Sequence, residues 1–200
     1  MLNLNLSGAG VLRIAIFAVV ALIAMTYARA GPFENAVSAE QQGDHSTAFR
    51  LFKQLAEEGN PKAQNELGTL FHFGWGTSQD DAEAAKWWQL AAEQGVAAAQ
   101  DALGFAYYYG EGVSQNYADA AKWLQRAADQ GLPKSQNKLG LMYEQGQGVI
   151  QDYVLAYMWF NLAAAQDVSF IQNRERVAAI MTGAQIAEGQ KRARDWKPRR

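Results

Sequence analysis

The sequence predicts an all-α fold, a solenoid of tandem helix–turn–helix repeats closed by a C-terminal helical cap. A block of 36 residues recurs without a gap at 63–98 and 99–134, and the two copies are identical at half of their positions. A third copy runs over residues 135–166. A fixed period of this length is typical of solenoids, in which each repeat is one supersecondary unit packed on its neighbours.

Residues 1–30 have the composition of a secretory signal peptide. Arg13 is the only charge before an apolar run from Ile14 to Met25, and Ala28-Arg29-Ala30 follows. This order predicts cleavage after Ala30 and export, with the periplasm as the expected location and full secretion as the alternative. Twelve apolar residues fall short of the roughly 20 that a membrane-spanning helix needs, so we expect no integral span after cleavage. An uncleaved anchor is the other reading of this segment.

The predicted mature chain, residues 31–200, is mildly acidic. It carries 16 Lys and Arg against 20 Asp and Glu, a formal net charge of −4. A chain with a net negative charge is repelled by the phosphate backbone of a nucleic acid, so we expect no nucleic-acid partner. The absence of cysteine excludes a disulfide framework and a thiolate nucleophile, and two histidines, His45 and His72, argue against structural zinc. We expect no metal site and no cofactor.

Each repeat is predicted to form two helices joined by a glycine loop. In the central copy, Leu103, Ala106 and Tyr107 have the spacing of an amphipathic helix. Gly110 and Gly112 then interrupt it, since glycine adopts backbone angles that other residues resist. The first helix of this repeat should therefore end close to Tyr109.

The second helix of each repeat has its own start and stop signals. Asn116 is a suitable N-cap, and Asp80 and Asp152 occupy the same place in the other copies. Gly131 stands where a left-handed cap is preferred, and Pro133 can open the next helix. Adjacent acids at 80–81 are thus explained by capping and by the helix dipole rather than by catalysis.

Large and small residues recur at separate repeat positions, which predicts close helix packing. Large side chains set into gaps beside small ones give the density of a protein interior. We therefore expect the recurring tryptophans to lie in the core. The small set is Gly68, Gly104, Gly140, Ala84, Ala120 and Ala156, and the large set is Leu67, Leu103, Leu139, Phe71, Tyr107, Tyr143, Trp87, Trp123 and Trp159.

The array is predicted to end in atypical units. Residues 31–62 read as a shortened N-terminal repeat whose inter-helix loop is reduced to about Gly43–His45. Residues 167–200 read as two capping helices and a basic tail, giving about ten helices in total. The tail, Lys191–Arg200, holds six basic residues and one acidic residue, a net charge of +5. It is interpreted as a helix end that frays into solvent, or as a weak contact to an anionic surface.

The repeated motif resembles the Sel-one-like repeat, a 36-residue relative of the tetratricopeptide repeat. It reads A-Q-x-x-L-G-x-x-Y-x-x-G-x-G-V and then D-x-x-x-A-x-x-W-x-x-x-A-A-x-x-G, and the match covers about residues 36–166. Phe71, Thr77 and Leu51 depart mildly from it. The resemblance implies a right-handed α-solenoid that acts as an adaptor or scaffold. It also implies a bacterial type of protein that is often periplasmic or secreted and that binds signalling, envelope or host proteins.

The same resemblance places a protein partner on the concave face, which the first helix of each pair lines in tetratricopeptide-like arrays. Tyr107, Tyr108 and Tyr109 run consecutively, so at least one must be exposed, and tyrosine is enriched at binding hot spots. We therefore predict a Tyr/Phe-lined groove for a peptide or partner helix, with packing between repeats as the alternative for these rings. The predicted partner-binding residues are Asn65, Thr69, His72, Phe73, Asp101, Phe105, Tyr108, Tyr109, Asn137, Leu141, Glu144 and Gln145.

No catalytic constellation can be assembled from the sequence. Gly110 and Gly112 lack the Lys-Ser/Thr of a phosphate loop, and two histidines support neither a metal site nor a Ser/His/Asp arrangement. One cysteine-rich branch of the resembled family is linked to β-lactams, but this chain has no cysteine. We therefore expect a non-enzymatic adaptor or regulatory scaffold. The alternatives are a cell-wall or β-lactam-directed enzyme and a glycan- or membrane-surface-binding module.

Overall fold

The computed structural model describes residues 31–199 and contains ten α-helices and no strand in that range. The predicted signal peptide and Arg200 lie outside the described residues. The helices are α1 Pro32–Gln41, α2 His45–Glu57, α3 Pro61–Phe73, α4 Asp81–Glu93, α5 Ala97–Tyr109, α6 Tyr117–Asp129, α7 Pro133–Gln145, α8 Tyr153–Gln166, α9 Ile171–Ala178 and α10 Gly183–Asp195. A 3₁₀ turn at Val168–Phe170 precedes α9.

The helices form successive pairs that stack along the chain, which confirms the predicted all-α solenoid of repeats. Residues 42–44 join α1 to α2, so the first pair has the short loop that the sequence predicts. The next three pairs are joined by longer glycine loops over residues 74–80, 110–116 and 146–152. No helix between residues 31 and 199 is both long and apolar enough to cross a membrane.

The predicted N-caps are confirmed at the start of every long-loop second helix. Asp80 accepts a hydrogen bond of 3.0 Å from the backbone of Glu83. Asn116 and Asp152 each accept two from the first turn of α6 and α8. These bonds satisfy backbone N–H groups that have no partner inside the helix.

The second glycine of each long loop joins neighbouring repeats. Gly112 has a φ of 69°, and a Cβ at this position would overlap the backbone carbonyl of Asp81, the first residue of α4 in the preceding repeat. Gly76 and Gly148 make the same approach to the first residues of α2 and α6. Only glycine permits both the left-handed backbone and this close contact.

The glycine in the middle of each first helix faces a bulky residue of the second helix. Beside Gly68 lies Trp88, and a Cβ on that glycine would come within 2.6 Å of the Trp88 ring. Leu124 and Phe160 occupy the equivalent places beside Gly104 and Gly140. Small residues thus allow close approach of the helices, as predicted.

The prediction that all three recurring tryptophans lie in the core is wrong for Trp87. Trp123 and Trp159 are buried, with 7% and 3% of their surface exposed, whereas Trp87 is only half-buried against the cluster formed by α1–α3. In that repeat Gly68 leaves room for the adjacent Trp88, which takes the interior position instead.

A row of hydrogen-bonded glutamines, which we call the glutamine ladder, runs through the stacked repeats, and its members at the start of the first helices, Gln64, Gln100 and Gln136, are buried. Gln100 Nε2 donates a hydrogen bond of 3.1 Å to the carbonyl of Ala92 at the end of α4. Gln130 Nε2, after α6, donates to Gln100 Oε1 at 2.8 Å. The same two bonds recur one repeat earlier and one repeat later, and the ladder consists of Gln64, Gln94, Gln100, Gln130, Gln136 and Gln166.

The two helices after the repeats cap the array, as predicted. On α10, Ala193 belongs to the core cluster of α8, and the Trp196 ring lies edge-on to Trp159 with centroids 6.3 Å apart. The backbone N–H of Arg199 donates to the Asp129 carbonyl at 2.7 Å. The tail therefore folds back onto α6 and α8, which corrects the expectation that it frays at the end of α10.

Candidate functional site

Three aromatic rings of α5 form a cluster around a lysine from the next repeat. We call Phe105, Tyr108 and Tyr109 the tyrosine cluster. The Lys138 ammonium lies 4.0 Å from the ring centroid of Tyr108, 5.1 Å from that of Tyr109 and 5.4 Å from that of Phe105. It also donates a hydrogen bond of 3.2 Å to the Tyr109 hydroxyl. An ammonium group over several aromatic rings is attracted by the negative electrostatic potential at the ring faces, which arises from the ring quadrupole.

The three consecutive tyrosines differ in environment. Tyr107 packs between repeats, while Tyr108 is half-buried and its hydroxyl donates to Gln147 Oε1 at 2.8 Å. Burial, together with the neighbouring phenols, raises the pKa of Tyr108. Tyr109 is 54% exposed, so the expectation that at least one ring faces solvent is met here. The cluster therefore combines rings held by the fold with an accessible contact surface.

A second group of rings lies at the end of α3, and we call His45, Trp75 and Phe73 the ring stack. Phe73 and Trp75 are stacked with centroids 4.8 Å apart, and Trp75 stacks on His45 at 5.2 Å. Phe73 is 54% exposed and Trp75 is 39% exposed. Trp75 and His45 are not among the residues predicted from the sequence. The available signal is that Trp75 stands in a loop where the other copies carry Glu111 and Gln147.

The other predicted positions on α3 already have partners within the chain. Asn65 is buried and donates to Glu66 at 3.1 Å, and the Thr69 hydroxyl donates to the backbone carbonyl of Asn65. His72 Nδ1 lies 2.7 Å from a carboxylate oxygen of Asp81. Of the four predicted residues on this helix, Phe73 offers the most free surface.

Helix α9 covers much of the predicted face of α7. Asn173 donates to Asn137 at 2.7 Å, and Arg176 forms an ion pair with Glu144. Leu141 packs into the cluster that contains Val177. Gln145 is the exposed one of the four predicted residues on α7. On α7 the face is therefore occupied from within the chain, whereas on α3 and α5 it exposes Phe73 and Tyr109.

Two half-buried carboxylates lie along the first helices. Asp101 accepts a hydrogen bond from the Ser135 hydroxyl, and burial raises the pKa of Asp101 although this bond opposes the shift. Burial also raises the pKa of Glu66, with a smaller contribution in the same direction from the charge of Glu40. The open part of the face thus combines aromatic rings with acidic groups.

A shallow cavity of about 290 Å³ lies elsewhere on the molecule, and none of the twelve predicted partner-binding residues lines it. Its walls include the C-terminal end of α6 and Arg199 of the folded-back tail. Within residues 31–199, no group of three or more His, Asp or Glu side chains is placed to hold a metal ion. The lining residues of the cavity are Gly95, Gln100, Arg126, Asp129, Gln130 and Arg199.

Comparison with known proteins identifies the repeat. The Sel1 repeat family matches four segments that together span more than half of the chain, at residues 38–60, 61–96, 97–132 and 133–168. No curated protein sequence matches the chain. Sel1 repeats generally mediate protein–protein interaction, and proteins built from them are typically non-enzymatic scaffolds.

Two solved structures are similar to the chain over most of its length. One is c5321, a protective antigen present in uropathogenic Escherichia coli strains that displays an SLR fold, with 34% identity and a TM-score of 0.70 over 75% of this chain. The other is a Sel1 repeat protein from Oxalobacter formigenes, with 31% identity and a TM-score of 0.68 over 71% of this chain. The matches span 32% and 59% of those two proteins. From its repeats and its fold, the chain belongs to the Sel1 repeat family.

Proposed function

We propose that this protein is an exported, non-enzymatic adaptor that binds a protein partner on the open face of α3 and α5. One observation carries the proposal: the equivalent face of α7 is covered by α9, whereas Tyr109 of the tyrosine cluster on α5 and Phe73 on α3 are each 54% exposed. Membership in a family whose repeats generally mediate protein–protein interaction supports the same conclusion.

The tyrosine cluster has the properties of a binding hot spot. Lys138 and Gln147 hold two of its rings in place before any partner arrives. Binding therefore immobilises fewer side chains, which lowers the entropic cost of association. Tyr109 adds a large exposed ring with a hydroxyl that hydrogen-bonds, the residue type most often found at energetic centres of interfaces.

Export is the second element of the proposal and has a separate test. It rests on the charge, apolar run and Ala-x-Ala order of residues 1–30. N-terminal sequencing of protein from a periplasmic fraction should begin at Gly31. Recovery of the intact N-terminus with the membrane pellet would contradict cleavage.

The partner-binding proposal is tested by affinity capture from envelope extract followed by mass spectrometry. The variant Tyr108→Ala, Tyr109→Ala removes the exposed Tyr109 ring and the half-buried Tyr108 ring of the cluster. Its matched control is Ile150→Ala, Val168→Ala, which removes two exposed apolar side chains at positions outside the predicted face. Circular dichroism first establishes that both variants retain native helicity.

The expected result is a partner retained by the wild type and the control and lost by the tyrosine variant. A partner that all three proteins retain equally would overturn the assignment to this face. Capture of no partner by any of them would overturn the adaptor function itself.

A further inference from the structure

Comparison of equivalent positions in successive repeats indicates which chemical group binds to the aromatic rings of this face. Lys138 lies one repeat after Ala102 and two after Glu66, at the same position of the first helix. From this position the Lys138 ammonium reaches back over the tyrosine cluster of the preceding helix. The chain thus contains its own example of a cation bound to these rings.

One repeat earlier, the corresponding cation is missing from the described structure. Ala102 occupies the position of Lys138, and its side chain ends at Cβ. Phe73, the equivalent of Tyr109, is 54% exposed and Trp75 beside it is 39% exposed. Among residues 31–199, no Lys or Arg lies over either ring. Phe73 therefore has no lysine at the place where Lys138 lies over Tyr109 in the next repeat. His72 and Thr69 replace Tyr108 and Phe105 there, and Trp75 supplies a second exposed ring instead.

The same region has acidic groups without a basic partner. Glu66 and Glu40 are close enough for their charges to interact, and neither forms an ion pair within the part of the chain that the structure describes. Residues 31–200 as a whole hold 16 Lys and Arg against 20 Asp and Glu, a net charge of −4. Both the local and the overall charge therefore favour a cationic ligand.

We propose that the partner segment bound at α3 is basic, with one Lys or Arg on the ring stack and a second beside Glu66. This inference rests on the proposed function and specifies the chemistry of the partner. Glu66 and Phe73 are seven residues apart on one helix, which corresponds to about 10 Å along its axis. Two basic side chains with that separation, for example seven residues apart on a partner helix, match the two positions.

The test uses two fluorescein-labelled peptides that differ only in charge. Both have a helix-forming alanine, leucine and glutamine background; one carries two lysines seven residues apart and the other carries glutamates there. Fluorescence anisotropy at low ionic strength measures their binding to the purified protein. The expected result is saturable binding of the lysine peptide and much weaker binding of the glutamate peptide.

Three variants separate the specific site from general attraction. Glu66→Gln removes the local carboxylate, and Glu93→Gln removes one charge at the exposed end of α4 as the matched control. Phe73→Leu keeps an apolar side chain but removes the π-face. Glu66→Gln and Phe73→Leu should each weaken lysine-peptide binding by about tenfold, whereas Glu93→Gln should change it less than twofold.

Equal binding of both peptides, no binding of the lysine peptide, or equal effects of Glu66→Gln and Glu93→Gln would overturn the inference. The envelope capture distinguishes this failure from failure of the adaptor function. If a partner depends on Tyr108 and Tyr109 but cross-links to α3 through an acidic or neutral segment, the adaptor function stands and the basic-segment inference is wrong.

Discussion

Gln130 donates a hydrogen bond of 2.8 Å to the side-chain oxygen of Gln100, thirty residues earlier in the chain. Gln100 in turn donates to the carbonyl of Ala92 at the end of the preceding repeat. The pair therefore connects both helices of one repeat to the last turn of its neighbour. Since the Gln100 side chain is buried, its amide and its oxygen depend on these two bonds for their partners.

Replacement of Gln100 by alanine should destabilise the protein by roughly 1–3 kcal/mol, because the two hydrogen bonds of its buried side chain, to the Ala92 carbonyl and from the Gln130 amide, are lost at about 0.5–1.5 kcal/mol each. Urea denaturation followed by circular dichroism measures the change. Gln89→Ala is the control, since Gln89 is exposed and bonds only to Glu93 on its own helix. An equal effect of the two substitutions would show that the ladder contributes nothing beyond surface hydrogen bonding.

Replacement of Gly112 by alanine should destabilise more than replacement of Gly95. Both glycines have positive φ, so both substitutions add a strain of about 1–2 kcal/mol. A Cβ at Gly95 meets no atom within 4 Å, whereas at Gly112 it overlaps the Asp81 carbonyl and adds about 1–3 kcal/mol of overpacking. Thermal unfolding of the two variants isolates the contact between repeats. Equal losses would mean that this contact relaxes freely.

Replacement of Trp123 by alanine should cost about 3–5 kcal/mol, the range for a buried aromatic side chain. Trp87→Ala should cost less, about 1–2 kcal/mol, because part of the Trp87 ring already contacts water. Equilibrium urea unfolding of both variants provides the comparison. A larger loss for Trp87 would contradict the burial that distinguishes these equivalent positions.

The raised pKa of Asp101 should make stability fall as pH rises. The Asp101 carboxyl has an ordinary pKa of 3.8 in the unfolded state and a higher pKa in the folded state. Between these two pKa values the folded protein therefore binds more protons than the unfolded protein. The unfolding free energy of the wild type relative to Asp101→Asn should therefore decrease from pH 3.8 through the raised folded pKa and remain constant above it. Urea titrations at closely spaced pH values measure this difference.

A second variant tests the cause of that pH dependence. The Ser135 hydroxyl donates to Asp101 and lowers its pKa, so Ser135→Ala should raise that pKa further. The window in which stability falls should then extend to higher pH in Ser135→Ala. If the window is unchanged, the hydrogen bond does not contribute to the titration of Asp101.

Repeat architecture and helix ends are readable from this sequence because they depend on local chemistry. Asn116 caps a helix through its own backbone neighbourhood, and Gly110 and Gly112 adopt left-handed angles that other residues resist. The 36-residue period then repeats these signals three times, which establishes the solenoid. Comparison of the repeats also identified the recurring small residues at which the two helices of a repeat approach each other closely.

Contacts between residues that are far apart in the sequence cannot be predicted from any local sequence pattern. Trp87 and Trp88 are both tryptophan, and only their packing against neighbouring helices shows that the second is the buried one. The ring stack joins His45 to Trp75 across two repeats, so no helical period reveals it. Likewise, the coverage of α7 by α9 depends on how the chain turns after α8.

The sequence alone established an all-α solenoid of four repeat units and located the first helices that carry the predicted face. Tertiary structure alone showed that this face exposes Phe73 and Tyr109 on α3 and α5. It also showed that Asn173 and Arg176 occupy the face at α7. The physical reason is that a repeat motif encodes packing between equivalent neighbours, whereas a terminal helix docks through side chains that occur once.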